Sequence, residues 1–223
     1  MTLVIPTLAM AAAWLPEGRR RGFHGVARWW ARRVLFWCNV KLTVRQEGEL
    51  DWDQTLIAMS NHESQFVIPI LFAGIPQQNM GLLAKHALRN IPVFGWAQRA
   101  AAFIFMDRTD PEKAKRSIDQ AVGQVQNGTS VAVLPEGARG ISGERLSFKK
   151  GGFVLAVKSG VPVLPVVLHG AKDLQHEEDF GPHSGAVEAR IGAPVASPGY
   201  SFDTRDEYLG RVRGEMEKPG RLP

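Results

Sequence analysis

The chain has little cysteine, and its apolar amino-terminal run is too short to cross a bilayer. Cys38 is the single cysteine, which excludes an internal disulfide framework and a cysteine-based metal site and fits a reducing compartment. The apolar run, residues 3–15, contains Pro6 and has about 13 residues, whereas a spanning helix needs roughly 20. This segment is therefore expected to enter a membrane without crossing it.

Acidic residues are absent from residues 18–46, a segment that carries eight basic residues. At about 100° per residue, a helix here places arginines on one face and apolar side chains on the other. We predict a monotopic, amphipathic helical membrane anchor over residues 1–40, held by buried apolar area and anionic head groups. The alternative is a helix that docks on its own domain. The predicted lipid face comprises Phe23, Val26, Ala27, Trp30, Val34 and Trp37, opposite Arg21, Arg28 and Arg32.

A net charge of +5 and a pI near 9.6 point to an anionic partner. Nucleic acid is not the expected partner, because arginine and tryptophan segregate by face in the first helix and do not interleave as base-stacking platforms. The expected partners are a phospholipid surface and phosphorylated small molecules. The charge pattern thus favours an anionic membrane surface over nucleic acid as the partner.

Residues 41–223 are predicted to form one α/β domain with a central mixed sheet flanked by helices. Asp110 and Pro111 mark a helix start, and Asn127-Gly128 ends that helix. Shorter helices are predicted over 152–159 and 204–217. The predicted strands are 41–45, 55–59, 80–84, 101–106, 130–134, 161–168 and 186–191.

Polar and charged residues follow several of these strands at the point where each strand ends. In open α/β sheets, ligands bind at the carboxyl ends of the strands. Basic side chains gathered there suit a phosphate monoester, which arginine grips through two hydrogen bonds. The residues concerned are His62 after the second strand, Lys85 and Arg108 after the next two, Glu136, Gly137 and Arg139 after the fifth, and Lys149 and Lys150 before Gly151-Gly152.

Four blocks in this order resemble the glycerolipid acyltransferase family, particularly bacterial 1-acyl-glycerol-3-phosphate acyltransferases. The first block is the family's histidine followed by four residues and aspartate, which begins here at His62. The resemblance covers roughly residues 56–166. The later blocks are matched by Lys85, Pro92, Gly95, Ile104, Asp107 and Arg108, then by Pro135, Glu136, Gly137 and Arg139, with Ala138 in place of threonine, and finally by residues 161–166.

The resemblance implies a function in phospholipid synthesis. His62 would act as general base while the hydroxyl of 1-acyl-glycerol-3-phosphate, a lysophosphatidate, attacks an acyl thioester and gives phosphatidate. Lys85, Arg108, Glu136, Gly137, Arg139 and Lys149 would bind substrate. The expected donor is acyl-CoA or acyl-carrier protein, with no metal and no cofactor. The expected location is the cytoplasmic face of an inner membrane, as a peripheral or monotopic protein.

Val67 departs from this family pattern, because it stands where the family has aspartate. Valine can neither accept the imidazole N–H nor stabilise an imidazolium, so catalysis is expected to be impaired. Asp107 is one candidate for a replacement carboxylate. The alternatives are a catalytically silent lipid-binding member of the same fold and an acyltransferase that acts on another lyso-lipid.

Two other kinds of site receive little support. Ser64 lacks the Gly-x-Ser-x-Gly turn of serine hydrolases. His169, His176 and His183 recur at seven-residue intervals, but zinc sites usually need four ligands in tighter spacing. These three histidines are predicted to be surface residues.

Overall fold

The structure is a computed structural model that describes residues 20–76, 80–85, 103–107, 110–136, 148–175 and 182–218. Within these ranges the chain forms five α-helices and seven β-strands. The helices are α1 (Arg20–Trp37), α2 (Val67–Gly74), α3 (Pro111–Gln126), α4 (Gly151–Ser159) and α5 (Arg205–Met216). The strands are β1 (Val40–Gln46), β2 (Ile57–Ser60), β3 (Met80–Lys85), β4 (Ile104–Met106), β5 (Ser130–Val133), β6 (Val163–His169) and β7 (Gly185–Ile191).

The strands form one mixed sheet in the order β1-β7-β6-β2-β5-β3-β4. Five neighbouring strands, from β6 to β4, are parallel, whereas β7 runs antiparallel to β6 and β1 runs parallel to β7. β2 and β5 are buried along their whole length, as expected for central parallel strands covered on both faces. The predicted α/β fold with a central mixed sheet is confirmed.

The sheet divides the buried apolar side chains into two clusters. The larger cluster contains residues of α1 and α2, and the smaller one contains residues of α3, α4 and α5. Helix α3 begins as predicted, because the side chain of Asp110 accepts a hydrogen bond from the Glu112 N–H and Pro111 occupies the first turn. Helices therefore cover both faces of the sheet.

Helix α1 docks on the α/β domain, so the predicted lipid face is wrong in part. Ala27 and Val34, two members of that face, are buried in the larger cluster, and Trp30 packs against it. The aromatic side chains that α1 leaves exposed are those of Trp29, Phe36 and Trp37, at 55%, 72% and 65%. Apolar spacing identified a helix with one buried side, but the same spacing serves a protein core and a lipid surface equally well.

Residues 1–19 lie outside the described residues. Membrane anchoring by residues 1–40 and the boundary at residue 40 therefore stay predictions. Within the part of the chain that the structure describes, no helix is long and apolar enough to span a membrane.

His24 joins α1 to the sheet. Its Nε2 accepts a hydrogen bond from the N–H of Met80, the first residue of β3, at 2.6 Å. Arg28, one turn further along α1, donates to the carbonyl of Ile75 at 3.0 Å. Burial, assisted by the charge of Arg28, lowers the pKa of His24 to about 4. The hydrogen bond that joins α1 to β3 therefore requires His24 to be uncharged.

We expect His24 to make the fold acid-sensitive between pH 6.5 and 4. In this window the unfolded chain binds a proton at His24 and the folded chain does not, so stability falls as the pH falls. The loss amounts to no more than about 3 kcal/mol. Denaturant unfolding at several pH values measures it, and His24→Gln should flatten this part of the profile. The exposed His183, changed to glutamine, is the matched control; equal slopes for the parent and His24→Gln would contradict the prediction.

Candidate active site

The carboxyl ends of β6, β2 and β5 lie side by side, because these strands are adjacent and parallel. His169 is the last residue of β6, His62 follows β2 by two residues, and Glu136 follows β5 by three. One edge of the sheet thus gathers two imidazoles and a carboxylate from segments far apart in sequence. The predicted position of the site, at the carboxyl ends of parallel strands, agrees with this arrangement.

Asn61 ties two of these strand ends together. Its Nδ2 donates to the carbonyl of Leu168 at 3.0 Å, and its Oδ1 accepts from the N–H of Leu168 at 2.8 Å. The side chain is only 4% exposed. Since β2 ends at Ser60, this amide continues the pairing with β6 for one more residue. The residues that follow, His62 and His169, are thereby held at neighbouring positions.

Glu136 holds the backbone of His62 from the other side. Its carboxylate accepts a hydrogen bond from the His62 N–H, which acts to lower the pKa of Glu136. Burial, the larger influence, raises that pKa, and the nearby carboxylate of Glu63 raises it further. Glu136 was predicted to bind substrate, and that role stays a prediction. The structure shows it positioning the segment that carries His62.

Glu63 is half-buried among charged and polar groups of the turn that follows β6. Burial raises the pKa of its carboxyl group, while a hydrogen bond from the Asn61 side chain and the charges of His169 and Lys172 lower it. Asp173, on the same turn, raises it again. The turn also contacts the next residues of the site segment, because Gln175 Oε1 accepts from the Gln65 N–H at 3.3 Å.

Val67 is the first residue of α2 and is completely buried in the larger core cluster. The segment between β2 and this helix is short and internally bonded, since the Phe66 N–H donates to Ser64 Oγ at 3.3 Å. Position 67 thus lies at a helix amino terminus, where the macrodipole favours a negative charge, but in surroundings that favour an apolar side chain. The valine fits the packing and leaves that dipole uncompensated.

The amino terminus of α4 packs closely on the strands that lead into the site. A Cβ added to Gly152 would lie 2.8 Å from Cγ1 of Val133 and 3.1 Å from Cε of Met59. Met59 and Val133 lie near the carboxyl ends of β2 and β5. Only glycine allows this approach, which explains the glycine at the predicted start of this helix, about residue 152.

The other predicted substrate-binding residues are described only in part. Arg108, Gly137 and Arg139 lie outside the described residues, as does the side chain of Lys85, whose backbone ends β3. Lys149 is exposed, and its N–H donates to the carbonyl of Pro135 at 2.7 Å, which places it beside the segment after β5. The substrate-binding role of these residues, and the phosphate-binding role of the basic ones, stay predictions.

Two of the predicted residues have other contacts or positions in the structure. Lys150 was grouped with the cationic edge; its exposed Nζ forms a 2.8 Å ion pair with Asp206 of α5, and its part in that edge stays a prediction. Asp107 was considered as the replacement for the carboxylate absent at position 67. It follows β4, which is three strands from β2 in the sheet, a distance of roughly 14 Å at the usual strand spacing. Asp107 is therefore too far away to orient His62 directly.

His169 was predicted to be a surface residue, and this prediction is wrong. The residue is only partly exposed, and its Nε2 is buried without a hydrogen-bond partner among the described residues. Its position follows from the strand, because Val163–His169 is an almost unbroken apolar run that ends in this imidazole. The signal that could have identified it is the one used for His62, a polar residue directly after a buried strand. Of the other two histidines in that series, His176 lies outside the described residues and His183 is exposed.

Comparison with known proteins places this geometry in a family. The family model described as Acyltransferase matches residues 41–169, which is more than half of the chain. A putative 1-acyl-sn-glycerol-3-phosphate acyltransferase of Caenorhabditis elegans, acl-2, is 27% identical over 94% of this chain and 73% of its own length. The 1-acyl-sn-glycerol-3-phosphate acyltransferase of Pseudomonas aeruginosa is 28% identical over 81% of this chain and 70% of its own.

Some relatives are much longer than the matched region. The chain covers only 51% of the chloroplast enzyme BAT2 of Brassica napus, to which it is 31% identical. Among solved structures, the 1-acyl-sn-glycerophosphate acyltransferase PlsC of Thermotoga maritima superimposes with a TM-score of 0.76. The identity is 28%, and the match covers 96% of this chain and 88% of that one. Fold, site position and sequence together show that this chain belongs to the acyltransferase family of enzymes.

Proposed function

We propose that the chain transfers a fatty acyl group from an acyl thioester to the free hydroxyl of 1-acyl-glycerol-3-phosphate. The observation that carries this proposal is the placement of His62 at the joined ends of β2, β5 and β6, where Asn61 and Glu136 hold its backbone. The relatives named for this acceptor support the same reaction.

In the proposed mechanism His62 removes the proton from the acceptor hydroxyl as the hydroxyl oxygen attacks the thioester carbonyl. The carbon–sulfur bond breaks, a new ester bond forms, and the imidazolium returns the proton to the leaving thiolate. No covalent acyl-enzyme is formed. Acyl-CoA or acyl-carrier protein is the proposed donor, and the cationic residues near the strand ends are the proposed phosphate ligands.

An acyl-transfer assay with a radiolabelled thioester tests this function. Phosphatidate should form from lysophosphatidate and donor, and the rate should fall sharply when monoacylglycerol, which lacks the phosphate, replaces lysophosphatidate. Equal rates for both acceptors would assign the enzyme to another lyso-lipid. Binding of lysophosphatidate without any transfer, also after aspartate is restored at position 67, would identify a catalytically silent lipid-binding protein.

The exposed aromatic residues of α1 support a membrane partner for this reaction. Trp29, Phe36 and Trp37 share the outer surface of the helix with arginines, and the guanidinium of Arg33 lies 5.6 Å from the ring centre of Trp29. Aromatic rings beside arginines suit the head-group region of an anionic bilayer. This outer surface, defined by Trp29, Arg33, Phe36 and Trp37, is termed the aromatic patch.

The carboxyl end of α1, which carries part of the aromatic patch, lies toward the same strand ends of the sheet as His62. Helix α1 leads directly into β1, whose first residue, Val40, pairs with Gly185 at the start of β7. Because β7 is antiparallel to β6, its start lies beside the carboxyl end of β6. A bilayer that contacts the carboxyl end of α1 would therefore lie near the edge where a lipid acceptor must react.

Replacing Trp29, Phe36 and Trp37 together by serine is expected to weaken binding to anionic vesicles at least about tenfold, because each aromatic ring contributes buried apolar area. Vesicle co-sedimentation measures the change. Deleting residues 1–40 is a poorer test, since it also removes Ala31 and Val34 from the core.

Phe202→Ser provides the matched control for this experiment. Phe202 is 55% exposed and has the guanidinium of Arg205 4.1 Å from its ring centre, so it resembles the aromatic patch chemically. It follows Val195, which pairs with Val163 at the opposite end of β6. Unchanged sedimentation of the triple variant, or an equal loss for Phe202→Ser, would contradict the assignment of the aromatic patch to lipid.

A further inference from the structure

Position 62 is held through the main chain from both sides of β2. Val67, at the position where the family has aspartate, is fully buried and apolar, and Asp107 is three strands away. Neither residue places a carboxylate beside the imidazole. The contacts that fix this position come from Asn61, which joins β6, and from Glu136, which follows β5.

The side-chain amide of Asn61 uses its full hydrogen-bonding capacity. Its Nδ2 donates to the Leu168 carbonyl at 3.0 Å, and its Oδ1 accepts from the Leu168 N–H at 2.8 Å. Ser60 Oγ also donates to Oδ1, at 3.4 Å, and the Glu63 carboxylate accepts from the amide. An amide has two donor hydrogens and an oxygen that accepts two bonds, so these four contacts saturate it. The side chain thus joins β6 through a donor and an acceptor at once, which an ionised aspartate cannot do.

The carboxylate of Glu136 fixes the next residue, because it accepts the His62 N–H. The segment that carries Glu136 is itself anchored at two points. β5 pairs with β2, and the Pro135 carbonyl accepts the Lys149 N–H at 2.7 Å, two residues before α4 begins. Glu136 therefore connects the backbone of His62 to β5 and to the start of α4.

Two adjacent residues are thus fixed by the two strands on either side of β2. β2 itself ends at Ser60, so Asn61 and His62 lie beyond the strand. The two contacts hold the backbone there and set the direction of the Cα–Cβ bond of His62. Displacing a reacting group by about 1 Å can cost about 10²-fold in rate. The placement of the imidazole therefore depends on both contacts.

We propose that Asn61 and Glu136 are positioning residues that act as one unit to place the imidazole of His62 for proton removal. This unit, defined by Asn61, Leu168, Glu136 and the His62 N–H, is termed the backbone clamp. The inference rests on the proposed function, because it gives His62 the role of general base. The backbone clamp sets the position of the imidazole and not its charge or rotation, which an aspartate at position 67 would add. Glu136 therefore acts on kcat, whereas a substrate ligand would act on KM.

Amide hydrogen exchange, followed by NMR, tests the backbone clamp without relying on turnover. Glu136→Ala should speed exchange of the His62 N–H at least about tenfold, because that amide loses its acceptor. Asn61→Ala should speed exchange of the same amide, although it removes no bond to it, because both contacts hold one segment. Ser197→Ala is the matched control: Ser197 is 1% exposed and donates to the Val161 carbonyl at 2.8 Å, at the opposite end of β6, so its loss should leave His62 exchange unchanged. Unchanged His62 exchange in Glu136→Ala or in Asn61→Ala would overturn the proposal, even in a chain that transfers no acyl group.

Steady-state kinetics separate positioning from substrate binding and from a structural role. Asn61→Ala and Glu136→Ala should each lower kcat about a hundredfold, with KM for lysophosphatidate unchanged. Glu136→Gln should recover most of that loss, because its amide oxygen still accepts the His62 N–H. Asn61→Asp should recover none of it, because an ionised carboxylate has no donor for the Leu168 carbonyl. Ser197→Ala also loses a buried hydrogen bond, and it should keep the parental kcat even where its melting temperature falls.

The double variant Asn61→Ala with Glu136→Ala decides whether the two residues act as one unit. It should lose little more kcat than either single variant, since breaking one contact already displaces His62. A double loss equal to the product of the single losses, a raised KM with unchanged kcat, or a Glu136→Gln variant as slow as Glu136→Ala would overturn the backbone clamp. A parent without acyl transfer would contradict the proposed function instead, and the exchange of the His62 N–H would then decide on the backbone clamp alone.

Discussion

Replacing His62 by alanine should lower kcat for acyl transfer by about 10²–10⁴-fold, the usual contribution of a positioned acid–base group. The loss should appear in kcat with little change in KM, because acceptor binding is assigned to the cationic residues and not to the imidazole. The backbone at position 62 is held by its own N–H to Glu136 and by the Asn61 amide on the preceding residue. Removing the side chain therefore leaves the segment in place.

The control for this experiment is a check that the variant is folded. His62→Ala should retain the melting temperature and circular dichroism of the parent to within experimental error. The single-turnover rate with thioester and lysophosphatidate gives the chemical step directly. A folded alanine variant that keeps more than about a tenth of the parental rate would show that another group removes the proton.

The second large effect is expected from Val67→Asp. An aspartate there restores the carboxylate that the resemblance to glycerolipid acyltransferases predicts, and kcat should rise by roughly 10²-fold, the lower end of the range for a recovered acid–base group. The lower end is expected because the buried, apolar surroundings of position 67 favour the neutral form of an aspartate there. The substitution should also lower stability, since Val67 is fully buried among apolar side chains. Its place at the amino terminus of α2 offsets part of that cost.

Val67→Asn separates the two consequences of this change. Asparagine has the same shape as aspartate and lacks its charge, so it should lose stability without gaining turnover. The gain of Val67→Asp should disappear when His62 is also alanine, because the two groups act as one unit. Turnover that stays at the parental level in a folded Val67→Asp protein would show that Val67 does not limit catalysis.

The strands and the long helix could be predicted because their sequence signals are local. Val163–His169 is apolar in all but its last residue, and Asp110-Pro111 marks the start of α3 through a side-chain cap. The position of His62 was predictable for the same reason, since a polar residue after a buried strand must lie at the sheet edge.

Contacts between distant segments could not be predicted in this way. Asn61 meets Leu168 across 107 residues of sequence, and only the strand order places them together. The charged neighbours of Glu63 depend on the same pairing. The environment of α1 could not be predicted for a different reason. Ala27 and Val34 have the spacing of a lipid-facing stripe, but the same spacing occurs on a helix face that packs against the protein's own core.

The edge position of β1 has a consequence for the order of folding. β1 is synthesised early, but its partner in the sheet is β7, and Val40 pairs with Gly185 about 145 residues later in the chain. Such distant pairing closes a long loop and forms slowly. While the ribosome is still extending the chain, the backbone N–H and C=O groups of β1 have no strand partner until β7 emerges. Chains that stop before β7 would leave this strand open to pairing with other nascent chains.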